Sequence, residues 1–195
     1  MEDTQRKDSP TEKLFDLRVE YAYRCFVNTQ ELIRFMDQKA GFVLAAVGIL
    51  SAALGTLVAN AFEANPTTIW LAWLRLAGVA FFLVYMLVGF VVVFVATSVF
   101  AAVPNRLRPD TTAPGLLFPL ILLKKFQSKE ELYFKTLSEI TPAGILHDYA
   151  NQIMEIANIY QAKQKQVNRS LFLFRWLSIL WVITTLMFLG ITAFK

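Results

Sequence analysis

Residues 35–59 read FMDQKAGFVLAAVGILSAALGTLVA, an Asp-Gln-Lys triplet set against a run that holds no charge. The uncharged run covers residues 40–62, 23 positions. A bilayer core of ~30 Å takes ~20 helical residues, so this run is long enough to cross one. Two more stretches share the property. Residues 69–103 are apolar in character over 35 positions with Arg75 as their one charge, and residues 176–194 continue for 19. Of the 195 residues, 56% are hydrophobic and 17 are phenylalanine, and the excess sits in these three stretches rather than being spread through a soluble core. The expected fold is therefore all-α, an integral membrane protein with three transmembrane helices. A cleavable signal is not expected, because the first run lies behind a polar segment with no small-residue cleavage pattern.

Lysine and arginine give the expected orientation. Residues 1–39 carry seven, residues 63–68 none, residues 104–170 nine, and the C-terminal tail only Lys195. By the positive-inside rule the N-terminus and the 104–170 segment are cytoplasmic, and the C-terminus lies on the far side. Trp70 and Trp73 suit the outer interface, toward which Arg75 can snorkel. The net charge of +4 falls on the cytoplasmic half, where anionic head groups account for part of it. A single cysteine, Cys25, excludes a disulfide framework and a cysteine-based zinc site.

Pro10 and Thr11 open a helix on which Leu14, Leu17, Tyr21, Cys25, Leu32 and Phe35 fall at steps of three and four or their sums. No breaker follows before the membrane run, so one helix is expected from about residue 11 to 62. Asn65-Pro66 makes the outer turn. The second span is longer than a bilayer requires and stops at Pro104. An irregular stretch, PNRLRPDTTAPG, precedes LLFPLILLKKF, which is too short to cross and is expected at the membrane surface or under the cytoplasmic helices. Ser128 to Glu131 form a capping box for a short helix to about Ile140. Thr141-Pro142 then opens a last helix, with Ile145, Tyr149, Ile153, Ile156 and Tyr160 on one face and no later proline to stop it.

The chain thus divides into a cytoplasmic tail and helix (1–38), a transmembrane hairpin (39–103), a cytoplasmic loop with helices (104–169) and a third transmembrane helix (170–195). The first and third spans continue into a cytoplasmic helical bundle. Its two extensions, 11–38 and 142–169, are each ~42 Å long at 1.5 Å per residue and run toward the membrane side by side. Within the first span a small residue recurs at Gly41, Ala45, Gly48, Ala52, Gly55 and Ala59. Such a stripe lets another helix come close, from the same chain or from a second copy.

The chemistry points away from catalysis. One histidine cannot build a metal site of the His-Asp kind from His147-Asp148, and no phosphate loop, nucleophile elbow or metalloprotease motif occurs. No catalytic residue, metal site or cofactor is expected. The three spans hold no carboxylate, which argues against an ion-coupled carrier. What remains is the cytoplasmic rim. Asp37 and Lys39 enter the first span, Arg106 and Arg108 follow the second, and Lys163, Lys165 and Arg169 precede the third. Such cations anchor lipid head groups, and a ring of them can also hold a phosphate. Asp37 gains nothing from anionic lipid, so a specific bond is expected there. Asn151, Gln152, Asn158, Gln161, Gln164, Gln166 and Asn168 crowd the last cytoplasmic helix; amides suit a solvated face, and they also offer donor and acceptor together to a nucleobase edge.

DQKAGFVLAAVGIL, the long second span ending at Pro104, SKEELYFKTL, and LHDYANQIMEIANIYQAKQKQVNRSL before the last span together resemble the Pycsar effector family, from about residue 30 to 185. The resemblance implies a membrane effector of a bacterial pyrimidine-cyclase antiphage system. A partner cyclase would supply cyclic UMP or cyclic CMP, and the effector would impair the cell inner membrane and cause abortive infection. On that footing Asp37, Lys39, Arg106, Arg108, Gln152, Asn158 and Lys163 are the candidate nucleotide-binding residues. The expected partners are the bilayer, the messenger and further copies of the chain in a homo-oligomer, with no nucleic acid polymer. The N-terminus would be cytoplasmic and the C-terminus periplasmic. The rival expectation is a scaffold subunit that binds a protein partner through its cytoplasmic helices.

Overall fold

A computed structural model of the chain describes residues 10–63, 68–101 and 130–194, with side chains from residue 13 onward. The described residues form four helices and no strand. Helix α1 runs Pro10–Glu63, α2 Ile69–Phe100, α3 Glu130–Glu139 and α4 Pro142–Ala193. Three of them, α1, α2 and α4, are long and apolar enough to cross a membrane. The all-α, three-span membrane architecture follows.

The local chemistry accounts for where the helices start and stop. The hydroxyl of Thr141 accepts the backbone N–H of Gly144 at 3.1 Å, so the expected N-cap of α4 is formed, with Pro142 at the first position. From there 52 residues run without interruption. Helix α2 ends at Phe100, a few residues before the expected stop, in a last turn where Thr97 and Ser98 bond their hydroxyls back to Val93, Phe94 and Val95 carbonyls. Such back-bonding competes with the helix's own ladder. The Asn65-Pro66 turn, Pro104, LLFPLILLKKF and Ser128 lie outside the described residues.

Two compact units emerge. Described residues up to 34 join residues 130–161 in the first, and residues 35–101 join residues 162–194 in the second. Helices α1 and α4 contribute to both. In the first unit they meet through Phe26 and Tyr149, edge to face with ring centroids 6.2 Å apart. In the second unit α1, α2 and α4 surround a core of Val43, Val47, Leu54, Tyr85, Val92, Leu177 and Phe188.

Hydrogen bonds stitch the second unit where no water competes. Ser51 and Tyr85 hydroxyls stand 3.0 Å apart, joining α1 to α2. Trp181 donates its indole N–H to the Leu50 carbonyl at 2.9 Å, joining α4 to α1. Such interhelical bonds contribute about 0.6 kcal/mol on average in membranes. Arg75 reaches back to the end of α1, donating to the Phe62 carbonyl at 3.1 Å with its guanidinium 4.5 Å from the Phe62 ring. The last turn of α1 has no basic residue of its own, so Arg75 supplies the positive charge its carbonyl end attracts.

Close helix approach uses different glycines from those of the α1 stripe. Gly78 of α2 lies against Phe188, whose ring a Cβ would meet at 3.3 Å, and Gly89 faces Leu177. Gly41, Gly48 and Gly55 have nothing within 4 Å of a Cβ position. The stripe on α1 is therefore open rather than used in packing among the described residues.

Candidate functional site

Asp37 stands three residues ahead of the uncharged run of α1, and Lys163 occupies the corresponding approach on α4. Their side chains meet: Lys163 Nζ donates to Asp37 Oδ1 at 2.5 Å. Lys163 is buried, with 9% of its side-chain surface exposed, while Asp37 keeps 32%. A buried ammonium costs several kcal/mol unless a carboxylate accompanies it. Here the carboxylate also faces outward enough to be approached. The expected specific bond at Asp37 is present, and its partner lies 126 residues away. Lys39 turns elsewhere, its Nζ 4.4 Å from the Phe35 ring centroid. Cation and ring sit one helical turn apart on α1, the spacing at which such contacts form.

The first unit carries the other two described candidates. Gln152 is 1% exposed, and its Nε2 has no hydrogen-bond partner among the described residues. A buried donor left unmatched costs about 1–3 kcal/mol. Asn158, by contrast, is exposed. Arg106 and Arg108 lie outside the described residues. Asp37 and Lys163 are thus brought together, Lys39 is their neighbour on α1, and Gln152 and Asn158 belong to the other unit with opposite exposure.

Two polar residues of the first unit escaped the sequence-level selection. Asp148 is buried and engaged in a polar interaction, and the Glu155 carboxyl is pushed above its ordinary range by burial. With Gln152 they sit at intervals of four and three on α4, one helical face, so the spacing itself could have pointed to them. Asn151 Nδ2 lies 3.3 Å from Nδ1 of His147, an amide donor facing a ring acceptor on the same helix. Among the described residues no group of His, Cys, Asp or Glu side chains is arranged to hold a metal ion.

The two features belong to different units and differ in chemistry. In the second unit a buried ammonium is held by a single, partly exposed carboxylate. A buried amide N–H with no acceptor is a hydrogen-bond offer that a carbonyl oxygen satisfies.

A family model described as PycTM, Pycsar effector protein domain, matches residues 21–190. No curated protein and no solved structure matches the chain significantly. The matched span takes in Asp37, Gln152 and Lys163, the first two apolar stretches, most of the third and most of both units. The chain belongs to the Pycsar effector family, and it is a membrane protein of bacterial antiphage defence.

Proposed function

We propose that this effector is activated by a cyclic pyrimidine nucleotide, cyclic UMP or cyclic CMP, made by a partner cyclase, and that activation impairs the inner membrane and aborts infection. Family membership carries the cyclic-nucleotide signal; the Asp37–Lys163 pair supports the means of receiving it. The messenger's single negative phosphate competes with the Asp37 carboxylate for Lys163. The exchange frees Asp37 to leave α4, and the pair is a contact between the approaches to the first and third spans. No linker interrupts α1 or α4 on either side of it. The protein acts as receptor and actuator without turnover and needs no cofactor. Its N-terminus faces the cytoplasm and its C-terminus the periplasm, in keeping with the lysine and arginine count.

The test is a thermal-shift series on the full chain in detergent, with cyclic UMP, cyclic CMP, cyclic AMP and cyclic GMP. A ligand that binds the folded state alone adds ~2.7 kcal/mol of stability at a hundred times its dissociation constant. The expected result is a rise in Tm confined to one pyrimidine nucleotide and lost in Lys163→Met. Folded protein that responds to none of the four would refute the messenger assignment and favour a scaffold role.

A further inference from the structure

We propose that the part of α1 ahead of its span pairs, parallel and in register, with the same helix of a second copy. Leu14, Leu17, Tyr21, Cys25, Asn28, Leu32 and Phe35 take six steps over 21 residues, a mean of 21/6 = 3.5 residues per step, with one shift of heptad phase between Tyr21 and Cys25. That is the repeat of a left-handed two-stranded coil rather than of a lone helix packing on a core. Five of the seven are large hydrophobics turned outward, Leu17 at 62% and Tyr21 at 72% exposure among them. Phe26, beside the row, packs on Tyr149 of α4, so the row borders that contact and leaves its own side chains outward. The outward row is therefore a surplus apolar face, on a stretch of helix that carries Arg18, Glu20, Arg24, Glu31 and Arg34 beside it and so is not itself built for lipid.

The face is also shaped to receive side chains. Leu17, Tyr21 and Cys25 line one wall of an open groove of 700 Å³, and Leu146, Ile153 and Met154 of α4 line the other. Apolar residues dominate its lining, so it suits hydrophobic knobs rather than a charged ligand.

Two observations commit this face to a second copy. Asn28 is the one amide in the row, near its middle, and a lone polar residue in a coiled-coil seam fixes parallel, in-register, two-stranded pairing. Copies inserted in one membrane share a single orientation, so their α1 helices are parallel before they meet. A parallel in-register pair sets every seam residue against its own counterpart, Asn28 against Asn28. This inference does not depend on which messenger, if any, the protein receives.

The chain carries its own probe. Cys25 is the sole cysteine and lies in the seam, free and half-buried. In-register pairing brings the two Cys25 Cα atoms to about the 4.4–6.8 Å that a disulfide spans. Membranes containing the full chain are oxidised with copper phenanthroline and run on a non-reducing gel. We expect a band at twice the chain mass, absent in Cys25→Ser, regained in Cys25→Ser/Asn28→Cys, and at least tenfold weaker in Cys25→Ser/Gln30→Cys, since Gln30 is exposed on another side of α1. Leu17→Glu with Tyr21→Glu should reduce Cys25 cross-linking at least tenfold at unchanged helix content. The inference is overturned by protein of native helix content that gives no dimer band through Cys25. An equal band through Gln30→Cys, or an adduct only with a different protein, overturns it as well.

Discussion

Replacing Asp37 by Asn leaves the Lys163 ammonium without its carboxylate inside the second unit. Breaking a fully buried ion pair from one side costs about 3–5 kcal/mol. The pair here is asymmetric: Lys163 is buried, while Asp37 retains 32% of its side-chain exposure. Water that reaches the carboxylate already screens part of the attraction, so the expected cost of Asp37→Asn is about 2 kcal/mol. Lys163→Met removes the buried charge itself and leaves a carboxylate that water can hydrate, for about 1 kcal/mol. The double variant, Asp37→Asn with Lys163→Met, returns to within about 1 kcal/mol of the parent, because the orphaned ammonium is gone. At ~2–4 °C per kcal/mol, Asp37→Asn should lower the Tm by ~4–8 °C in detergent. Thermal unfolding of the parent, both single variants and the double variant completes the cycle. Strict additivity of the two single effects, or an Asp37→Asn shift below ~1 °C, would refute the pair as a structural tie and with it the exchange mechanism.

Trp181→Phe deletes the bond to the Leu50 carbonyl and should cost about 0.6 kcal/mol, with little change expected in helix content by circular dichroism. Gly78→Leu forces a side chain into the Phe188 ring, an overpacking cost of about 1–3 kcal/mol, whereas Gly48→Leu meets only open space and should leave the unfolding of the chain unchanged. Glu155 is held above its ordinary value of 4.5 by burial, so the folded protein binds that proton more tightly than the unfolded chain does. Below about pH 4.5 both states are protonated and no penalty exists; as pH rises through the raised value the penalty appears, and it stays constant above. Glu155→Gln should therefore raise the Tm at pH 7 relative to the parent and leave the difference near zero at pH 4.

What the sequence made legible was whatever depends on neighbours along the chain. The absence of charge over residues 40–62 announced a span, and Thr141-Pro142 announced the start of α4 with its cap hydrogen bond. Asp37 stood out because a carboxylate at the edge of an apolar run has no generic reason to be there. Its partner did not, since Lys39, two residues on, is the obvious neighbour in sequence and Lys163 is the actual one in space. That the two helices run side by side was expected from their lengths, but which residue of α1 faces which residue of α4 has no local signature. Glycines illustrate the same limit. The regular stripe from Gly41 to Ala59 stays open among the described residues, whereas Gly78 and Gly89, in the buried row of α2 with Leu71, Tyr85, Val92, Ala96 and Val99, let helices touch. A small residue permits close approach without specifying who approaches. Gln152 was selected for its amide, while its burial and missing acceptor depend on what covers α4 in three dimensions.

The long sequence separations have a bearing on how the protein is made. Asp37 leaves the ribosome well before Lys163, 126 residues later, and Leu50 precedes Trp181 by 131. The first two spans, joined by Ser51 and Tyr85, are synthesised with their principal polar tie to the third still missing. A nascent hairpin therefore meets the lipid with an uncompensated carboxylate at its edge, and α4, translated later, neutralises it. Chains truncated before residue 163 should be cleared by membrane proteases faster than the full chain in a pulse-chase, and restoring the third helix as a separate polypeptide should slow that clearance. Order of synthesis thus sets an order of assembly: the α1–α2 tie through Ser51 and Tyr85 can form before the α1–α4 ties through Lys163 and Trp181.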